Sequence, residues 1–357
     1  MHCNIVFQVL PLEQNPFQLR MQIKFLTDNK NLIDEVNNFV EEWRSNSLFI
    51  TTETSGSTGT PKSLEHTKKH MSASALKTIE ALNLKNGCTN LLCLSPRTIG
   101  GKMMIVRTII LKSRLIVVDI SSSPLKDITE KIDFAAMVPL QVQNSLESER
   151  DSLSKVGTLI IGGGVMDDAI LKNASLLPIK AYQTFGMTET ISHIALKRIQ
   201  TENSLYIAVR GVTFEQDGEQ LLINAPHLGI EGLKTNDTIE LINDTSFNWL
   251  GRTDFVVNSG GIKLQPELIE IKLSSIIKSP FFVSGMADQK LGEKLILCIE
   301  SHSPSLEITK STLISILSKY EIPKEIYYFD QFVRTDSDKI NRIATMKNSK
   351  NAERKIL

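Results

Sequence analysis

Short apolar runs alternate with helix-like amphipathic stretches through the first two thirds of the chain. The runs are LFITTE (48–53), NLLCLS (90–95), RLIVVDI (114–120), FAAMVP (134–139), TLIIGG (158–163) and IKAYQTF (179–185). Runs so rich in Val, Ile and Leu are typical of strands buried on both faces of a sheet. Segments between them, such as GKMMIVRTIILK, which is apolar nearly all round, suit crossover helices lying on that sheet. The pattern therefore predicts an α/β main body.

From about Ser204 the apolar runs become shorter, apolar and polar residues alternate, and Gly, Asn and Asp separate the runs. This pattern indicates a β-rich subdomain. A helix start follows at Pro266, and strand-like and helix-like segments then alternate up to a polar tail. We predict a large α/β domain with a β-rich subdomain over 1–253. A small, mobile α+β domain is predicted over 254–357, with the hinge near 251–254.

Composition places the chain among folded globular proteins and narrows its partners. Of 357 residues, 41% are hydrophobic and 22% are charged, and 40 basic residues balance 40 acidic ones. This balance provides no global field for nucleic acid or a membrane surface, and no apolar run is long enough to insert into a membrane. We therefore expect no nucleic-acid partner, no membrane insertion and a cytoplasmic location. The four cysteines, Cys3, Cys88, Cys93 and Cys298, lack metal-ligand spacing and suggest reduced thiols in the core.

The segment TSGSTGTPK, residues 54–62, concentrates groups that bind phosphate. Its glycines let backbone N–H groups approach a ligand, its hydroxyls add donors, and its lysine adds a charge. It follows a predicted strand and precedes a helix-like stretch, which is where α/β folds place anions. The glycine spacing does not fit a Walker A loop. Taken alone, the segment could equally be a flexible Ser/Gly-rich turn.

Five ordered segments resemble the adenylate-forming acyl-CoA synthetases, which activate a carboxylic acid with ATP and transfer the acyl group to a thiol. They are residues 54–62, GGG (162–164) with YQTFGMTE (182–189), TNDTIEL (235–241), GRTDFVVNSGGIKLQPELIE (251–270) and RTDSDKINR (334–342). Together they span most of the chain. The resemblance implies ATP, Mg²⁺ and coenzyme A as cofactor and co-substrates, and a small carboxylic acid as substrate.

The resemblance also assigns roles around the nucleotide. The loop 54–62 corresponds to the triphosphate-binding loop of the family, and its assigned contacts are Thr54, Ser55, Gly56, Ser57, Thr58, Gly59 and Lys62. The adenine slot is assigned to Gly162, Gly163, Gly164, Phe185 and Gly186. Phe185 stands where the family usually has Tyr, so the stacking face is kept without the hydroxyl. Glu189 is similar to the Mg²⁺ ligand, and Thr188 to a phosphate contact, with both assigned to catalysis.

The remaining assignments fall in the second half of the chain. Asp237 resembles the acceptor for the ribose hydroxyls, and Arg252 the ribose and phosphate contact. Asp254 matches the hinge of the small domain, and Gly260 a site where pantetheine passes close to backbone. Lys339 matches the catalytic lysine, which neutralises charge in the adenylation transition state and then leaves. Asp338 stands where the family usually has Gly, a departure that could restrict the lysine.

The short first portion of the chain and the segment GMTETISHIA resemble compact 2-succinylbenzoate:CoA ligases of menaquinone synthesis. This similarity predicts a dicarboxylate substrate, of which only the succinyl carboxylate is activated. The second carboxylate then needs a partner, and the candidates are Arg97, Lys102 and His193. Without the resemblance, Arg97 and Lys102 would be interpreted as solvated charges in a loop, and His193 as a hydrogen-bonded residue without a role in binding.

Several readings stay open from sequence alone. The acid could be another aryl or fatty acid, and the acceptor could be a carrier-protein thiol. A nucleotide-binding homologue that has lost catalysis would also fit the short first portion and Asp338, whereas a structural scaffold would leave five ordered motifs unexplained. The sequence leaves a homo-oligomer open, and a partner subunit could replace the missing N-terminal portion.

Overall fold

The computed structural model describes residues 21–53, 63–164, 166, 168–199, 204–301, 308–334 and 340–357. Half of its large sheet is parallel, with strands in the order β1-β5-β4-β6-β7-β8. These strands are β1 (Gln22–Leu26), β4 (Thr89–Leu92), β5 (Arg114–Val118), β6 (Ile132–Met137), β7 (Val156–Ile161) and β8 (Lys180–Met187). The helices around them are α1 (Lys30–Arg44), α2 (Lys68–Leu82), α3 (Ile99–Ile110), α4 (Pro139–Ser148), α5 (Arg150–Leu153) and α6 (Asp168–Ser175).

Both faces of the parallel strands are covered by helices, as the apolar runs predict. Successive side chains of a strand point to opposite faces. Leu115 and Val117 of β5 accordingly join one hydrophobic cluster with α1, α2 and α3, and Ile116 joins another with α4 and α5. The result is a three-layer α/β/α arrangement, which confirms the predicted class of the main body.

The same sheet continues as antiparallel strands in the order β8-β9-β10-β14-β13-β12-β11. They are β9 (Ser192–Arg198), β10 (Tyr206–Ala208), β11 (Thr213–Asp217), β12 (Gln220–Ala225), β13 (Ile230–Asn243) and β14 (Ser246–Arg252). The predicted β-rich region is therefore present, and it extends the main sheet.

The segment LFITTE does not join the large sheet, contrary to the prediction. β2 (Phe49–Glu53) pairs only with β3 (Ser63–Thr67) in an antiparallel hairpin, and α2 begins at Lys68. The prediction that LFITTE is a strand of the buried sheet, followed after the loop by a helix, is wrong. Its alternating TTE end suits a hairpin, since Thr51 and Glu53 pair with Glu65 and Ser63.

The C-terminal part contains a second, smaller sheet with helices. Its strands run in the order β16-β15-β18-β19-β20, and β17 also pairs with β18. The elements are β15 (Val257–Ser259), β16 (Ile262–Leu264), α7 (Pro266–Leu273), β17 (Phe281–Asp288), β18 (Gly292–Glu300), α8 (Lys310–Ile314), β19 (Glu325–Phe329), α9 (Arg342–Lys347) and β20 (Glu353–Ile356). The predicted α+β class is confirmed, although the polar tail also contributes a helix and a strand.

Hydrophobic clusters divide at the expected place. Two clusters draw their members from residues up to Trp249, and two from Val257 onward. Between them lies a short 3-10 helix, Thr253–Phe255. This division supports domains of 1–253 and 254–357, which stay a prediction because separate motion is untested.

The described cysteines and helices agree with the expectations from composition. Cys88, Cys93 and Cys298 are buried free thiols, and burial raises the pKa of Cys93 to about 12. Such thiols stay protonated and pack as small apolar groups. No helix in the described ranges is long and apolar enough to cross a membrane.

Candidate active site

Three of the predicted nucleotide residues, Gly162, Phe185 and Gly186, lie at or near the carboxyl ends of strands β7 and β8 of the large sheet. Strand order reverses at β4, since β5 lies on one side of it and β6 on the other. Ligands in open α/β sheets bind outside the carboxyl ends of strands at such a point. Gly162 directly follows β7, two strands from β4, and Phe185 and Gly186 lie near the end of β8.

Backbone packing explains why glycines occupy this edge. A Cβ at Gly162 would overlap Thr184 Oγ1, and one at Gly186 would overlap the backbone of Ser192 and His193 across a register shift between β8 and β9. Gly163 has a φ of +87°, which favours glycine. Gly163, Gly164 and Gly186 are exposed, so bare backbone faces the open edge.

Phe185 lies against an aromatic cluster that leads to Asp237. Its ring packs edge-on against Phe247 and Tyr206, with centroids 5.1 and 5.8 Å away. Burial, and then the charge of Asp237, raise the pKa of Tyr206 to about 12. The charge of Asp237 thus acts on Tyr206, which contacts Phe185, so Tyr206 lies between the residues predicted to hold the adenine and the ribose.

Asp237 is buried, with only 6% of its surface exposed, yet its carboxylate is well supported. Oδ1 accepts a hydrogen bond from Trp249 Nε1 at 2.9 Å, and Oδ2 lies 4.0 Å from Arg252 Nη1. Burial raises its pKa, although Trp249 and Arg252 oppose that rise. An ionised carboxylate accepts several hydrogen bonds, so capacity remains for ribose hydroxyls.

The predicted hinge residue is tied to the same two strands. Asp254 accepts hydrogen bonds from Arg252 Nη2 at 2.5 Å and Asn236 Nδ2 at 2.9 Å. Gly251 has a φ of +144°, and a Cβ there would lie 2.7 Å from Gln265 Oε1. Gly260 occupies the exposed turn between β15 and β16, and its N–H donates to Leu291 O at 2.9 Å.

Thr188 and Glu189 form the strained turn between β8 and β9. Ile191 and Ser192, which follow, have φ values of +52° and +79°. A positive φ is uncommon for any residue other than glycine and is a clear outlier for the β-branched Ile191. Ser74 Oγ donates to Ile191 O at 2.7 Å and helps to hold this conformation. Backbone strain of this kind clusters at functional sites. Glu189 is exposed on this turn.

Glu189 also lies beside the hairpin that flanks the predicted phosphate loop. Burial lowers the pKa of His66 on β3, and the charge of Glu189 opposes that shift. The segment 54–62 itself lies outside the described residues, as does Lys339, so their predicted roles stay predictions. The flanking residues are paired: Glu53 with Ser63, and Arg334 with Ile340.

The donor set fits Mg²⁺ bound to a nucleotide. No group of three or more potential ligand side chains lies together in the described ranges, so a Mg²⁺ ion at the predicted position would take Glu189 as a single carboxylate ligand. Mg²⁺ usually takes one or two protein carboxylates and completes its shell with phosphates and water. Glu189 beside the hairpin meets that requirement.

The three residues predicted to bind the second carboxylate have different environments. Arg97 is on the surface with 75% of its side chain exposed, and its Nε donates to Glu35 at 2.7 Å. Lys102 Nζ lies 4.9 Å from the centre of the Phe39 ring. His193 is buried, with Nε2 3.1 Å from Thr78 Oγ1. Burial and the charge of Arg107 hold the pKa of His193 well below its usual value.

Arg107 is a candidate that the sequence reasoning missed. It lies on α3 with only 1% of its surface exposed, and Nη2 donates to Ser192 Oγ at 3.0 Å. Its Nε has no hydrogen-bond partner, and no ion pair joins it to a carboxylate in the described part of the chain. Burial lowers its pKa to about 9. The sequence contains a signal for it, because Arg107 lies within GKMMIVRTIILK, which is apolar nearly all round and is therefore expected to be buried.

Comparison with known proteins gives a family and a fold. The model of a family described as AMP-binding enzyme matches residues 8–214. An acyl-CoA synthetase (AMP-forming)/AMP-acid ligase II-like protein of Dyadobacter fermentans is 34% identical, with a TM-score of 0.60 over 90% of this chain and 95% of that one. O-succinylbenzoate coenzyme A synthetase of Bacillus subtilis, in complex with ATP and magnesium, gives a TM-score of 0.72 at 21% identity, over 83% of this chain and 69% of that one.

Curated relatives point the same way. A probable 2-succinylbenzoate–CoA ligase of Mycobacterium tuberculosis is 24% identical over 86% of both chains. The 2-succinylbenzoate–CoA ligase of Bacillus cereus is 25% identical over 85% of this chain and 70% of its own length. The predicted family resemblance is thereby confirmed.

Proposed function

The chain belongs to the AMP-binding enzyme family, and from that premise we propose that it is an ATP-dependent acid:CoA ligase for 2-succinylbenzoate. The carboxylate attacks the α-phosphate of ATP and gives an acyl adenylate and pyrophosphate. The thiolate of coenzyme A then attacks the acyl carbon, which releases AMP and the thioester. Relatives named 2-succinylbenzoate–CoA ligase support this substrate.

The observation that carries the dicarboxylate assignment is the burial of Arg107. A charged guanidinium removed from water is strongly unfavourable unless an anion compensates it. Its described neighbours supply a hydroxyl and a thioether, since Nη2 contacts Ser192 Oγ and Nη1 lies 4.0 Å from Met104 Sδ. A bound carboxylate would compensate the charge, and arginine suits it by donating two parallel hydrogen bonds.

The groups around Arg107 favour an anion. Ser192 and His193 belong to the strand that follows the Thr188–Glu189 turn, so the proposed carboxylate and phosphate sites are joined by a few residues. His193 stays neutral because burial and Arg107 lower its pKa. A neutral imidazole can donate or accept a hydrogen bond without adding charge.

In the first half-reaction the protein would position ATP and the acid and stabilise the charge that develops on the phosphate. Phe185, Asp237 and Arg252 would hold the adenosine, and the backbone around Gly162 would admit the flat base. Mg²⁺ when bound at Glu189 would neutralise phosphate charge. Lys339 would stabilise the charge that develops on the α-phosphate, following its resemblance to the catalytic lysine of the family.

The test is pyrophosphate release by the purified protein with Mg-ATP and coenzyme A. We expect release with 2-succinylbenzoate, and a CoA thioester of matching mass, but little release with benzoate, fatty acids or short-chain acids. Release with a monocarboxylic aryl or fatty acid instead would replace the substrate assignment. ATP binding without pyrophosphate release for any acid would indicate a nucleotide-binding homologue without catalysis.

A further inference from the structure

Two residues of α2 with hydroxyl side chains contact the chain on either side of Ser192. Ser74 and Thr78 are four residues apart, so they lie on the same face of the helix, and they are 3% and 1% exposed. Ser74 Oγ donates to Ile191 O at 2.7 Å, and Thr78 Oγ1 lies 3.1 Å from His193 Nε2. α2 thereby holds the residue before Ser192 and the residue after it.

Ser192 connects these residues with Arg107. The Nη2 of Arg107 donates to Ser192 Oγ at 3.0 Å, and Ser192 Oγ lies 3.4 Å from His193 Nδ1. At the other end, the hydroxyl of Thr78 lies 3.2 Å from Ser74 O. A continuous chain of polar contacts therefore runs from Arg107 to the backbone of α2, and both nitrogens of His193 belong to it.

The hydrogens of the hydroxyl groups give this chain a direction, because each hydroxyl has only one hydrogen to donate. A backbone carbonyl only accepts, so the Thr78 hydroxyl donates to Ser74 O, and its oxygen accepts from His193 Nε2–H. His193 is neutral, because burial and the charge of Arg107 lower its pKa, and its other nitrogen is therefore an acceptor. The Ser192 hydroxyl then donates to His193 Nδ1 and accepts from Arg107.

The opposite tautomer of His193 satisfies fewer of these groups. With the hydrogen on Nδ1, His193 and Arg107 would both donate to Ser192 Oγ, and the Ser192 hydrogen would have no acceptor in the described part of the chain. The Thr78 hydroxyl would turn to His193 Nε2 and lose its bond to Ser74 O. Most buried polar groups in proteins are hydrogen-bonded, which favours the Nε2–H tautomer.

The direction of the chain determines which groups are left for a ligand. Both nitrogens of His193 are engaged, and the hydrogen of Ser192 points away from Arg107, so neither side chain is free to donate to an acid. Arg107 is held at Nη2, whereas its buried Nε has no hydrogen-bond partner in the described ranges. Arg107 is therefore the donor to the carboxylate, and the other residues set its orientation.

We propose that Thr78 and His193 are positioning residues for the acid, which keep Ser192 as an acceptor and thereby orient the Arg107 guanidinium without touching the substrate. The inference rests on the proposed function for the role of Arg107, and it replaces the prediction that His193 itself binds the second carboxylate. A merely structural contact between α2 and β9 would affect stability and would not act on the KM of one substrate alone.

Thr78→Val tests the chain, because it keeps the shape of the side chain and removes the acceptor of His193 Nε2–H. We expect the KM for 2-succinylbenzoate to rise by about fivefold or more, which is the effect of losing one hydrogen bond. The KM for ATP and kcat should stay within about twofold of wild type, since the change affects the binding of the acid. Thr78→Ser keeps the hydroxyl and should restore the KM for the acid to within about twofold of wild type.

Thr108→Val is the matched control. Thr108 on α3 is also buried and donates its hydroxyl four residues back, to Met104 O at 2.8 Å, but it accepts from Asn90 Nδ2 at 2.9 Å and lies outside the chain that ends at Ser74. Its loss should destabilise the protein about as much as Thr78→Val does, and the KM for the acid should stay within about twofold of wild type.

A double variant tests whether Thr78 acts through Arg107. In the Arg107→Met background, Thr78→Val should change the KM for the acid by less than about twofold, because a residue that acts through Arg107 has no further effect once the guanidinium is gone. The same factor in both backgrounds would overturn the proposal, as would an unchanged KM in Thr78→Val alone.

The tautomer can be measured without any acid. In NMR spectra of protein labelled at the histidine nitrogens, the His193 ring should carry its hydrogen on Nε2 in wild type and in Thr78→Ser, and His193→Gln identifies the signal. A hydrogen on Nδ1, or on both nitrogens at neutral pH, would contradict the proposed direction of the chain. Failure of wild-type protein to release pyrophosphate with 2-succinylbenzoate would instead count against the proposed function.

Discussion

Arg107 Nη2 and Ser192 Oγ lie 3.0 Å apart, although 85 residues separate them in sequence. The contact joins the middle of α3 to the first residue of β9, next to the turn that contains Thr188 and Glu189. It is a hydrogen bond between a buried cation and a neutral hydroxyl, and no carboxylate among the residues that the structure describes forms an ion pair with Arg107. Function gives the simplest reason to maintain such a residue.

We predict that Arg107→Met raises the KM for 2-succinylbenzoate by at least about thirtyfold, because truncating one partner of a buried charge pair costs at least about 2 kcal/mol. The KM for ATP should change little. The free energy of unfolding should rise by about 1–3 kcal/mol, since an apolar side chain replaces an unpaired buried charge. Steady-state kinetics and urea unfolding measure the two effects.

Arg97→Ala is the control for this prediction. The Arg97 side chain is mostly exposed and paired with Glu35, and surface ion pairs contribute about 1 kcal/mol or less. We expect its KM for the acid to stay within about twofold of wild type. The opposite result, with a large effect at Arg97 and none at Arg107, would move the carboxylate site to the surface loop.

We predict that His193 makes the protein less stable in mild acid. Its pKa is lowered in the folded state, whereas in the unfolded chain it is near 6.5. Below that pH the unfolded state binds more protons, so the free energy of unfolding falls by up to about 1.4 kcal/mol per pH unit. In His193→Gln this slope should become shallower between pH 6.5 and 5.

Urea unfolding at several pH values measures that slope, and Thr78→Val provides the comparison. It removes the hydroxyl near His193 Nε2 and retains the imidazole, so the pH dependence should persist. An identical slope in His193→Gln and wild type would mean that His193 takes up a proton in the folded protein.

Strand and helix periodicity in the sequence located most of the main domain, because buried parallel strands require continuous apolar runs. It failed where local pattern and tertiary packing disagree. In α2 the apolar residue Leu76 is 52% exposed, whereas the polar residues Ser74 and Thr78 are buried. Their hydroxyls bond to Ile191 O and Ser74 O, so a polar face can pack inward toward the site.

In the candidate site, the sequence predicts contacts to the nucleotide but not the residues that would bind the acid. Motifs that resemble a family indicate nucleotide contacts, since those contacts use backbone and short side chains in a fixed order. The proposed acid pocket would use side chains from different elements, such as Arg107 of α3 and Thr78 of α2, which sequence spacing does not bring together. Arg97 and Lys102 were predicted from the family resemblance of the segment 92–109, which also contains Arg107.

Two adjacent glycines in the first turn of α3 should respond oppositely to alanine. A Cβ at Gly101 would overlap Ser95 O, so Gly101→Ala should destabilise the protein by about 1–3 kcal/mol. A Cβ at Gly100 meets only Leu94 Cδ1 at 3.3 Å and Thr98 Oγ1 at 3.9 Å, both of them side-chain atoms. Gly100→Ala should therefore stabilise it by about 0.5–1 kcal/mol through helix propensity. Urea unfolding of both variants checks the sign, and equal destabilisation would contradict this packing of α3.

Asp237→Asn should weaken AMP binding by tenfold or more, because hydrogen bonds to a charged group contribute about 1.5–3 kcal/mol. The asparagine oxygen can still accept from Trp249 Nε1, so the local structure should be retained. Calorimetric titration with AMP measures the change. Asp217 on β11 forms an exposed ion pair with Lys234 on β13, and Asp217→Asn should bind AMP as wild type does. Unaltered affinity in Asp237→Asn would separate Asp237 from the ribose.

Lys339→Ala should slow acyl-adenylate formation by at least about a hundredfold, since removing a charge that stabilises the transition state has effects of this size. Transfer of the acyl group from preformed acyl adenylate to coenzyme A should stay within about threefold of wild type, because the family resemblance implies that the lysine leaves the active site before the thiol attacks. Rapid-quench measurement of pyrophosphate and of the thioester follows the two steps separately. Lys350→Ala, at an exposed lysine near the C-terminal end, should leave both rates unchanged. Equal slowing of both steps by Lys339→Ala would assign the lysine to domain structure, and the adenylation role would pass to another cation.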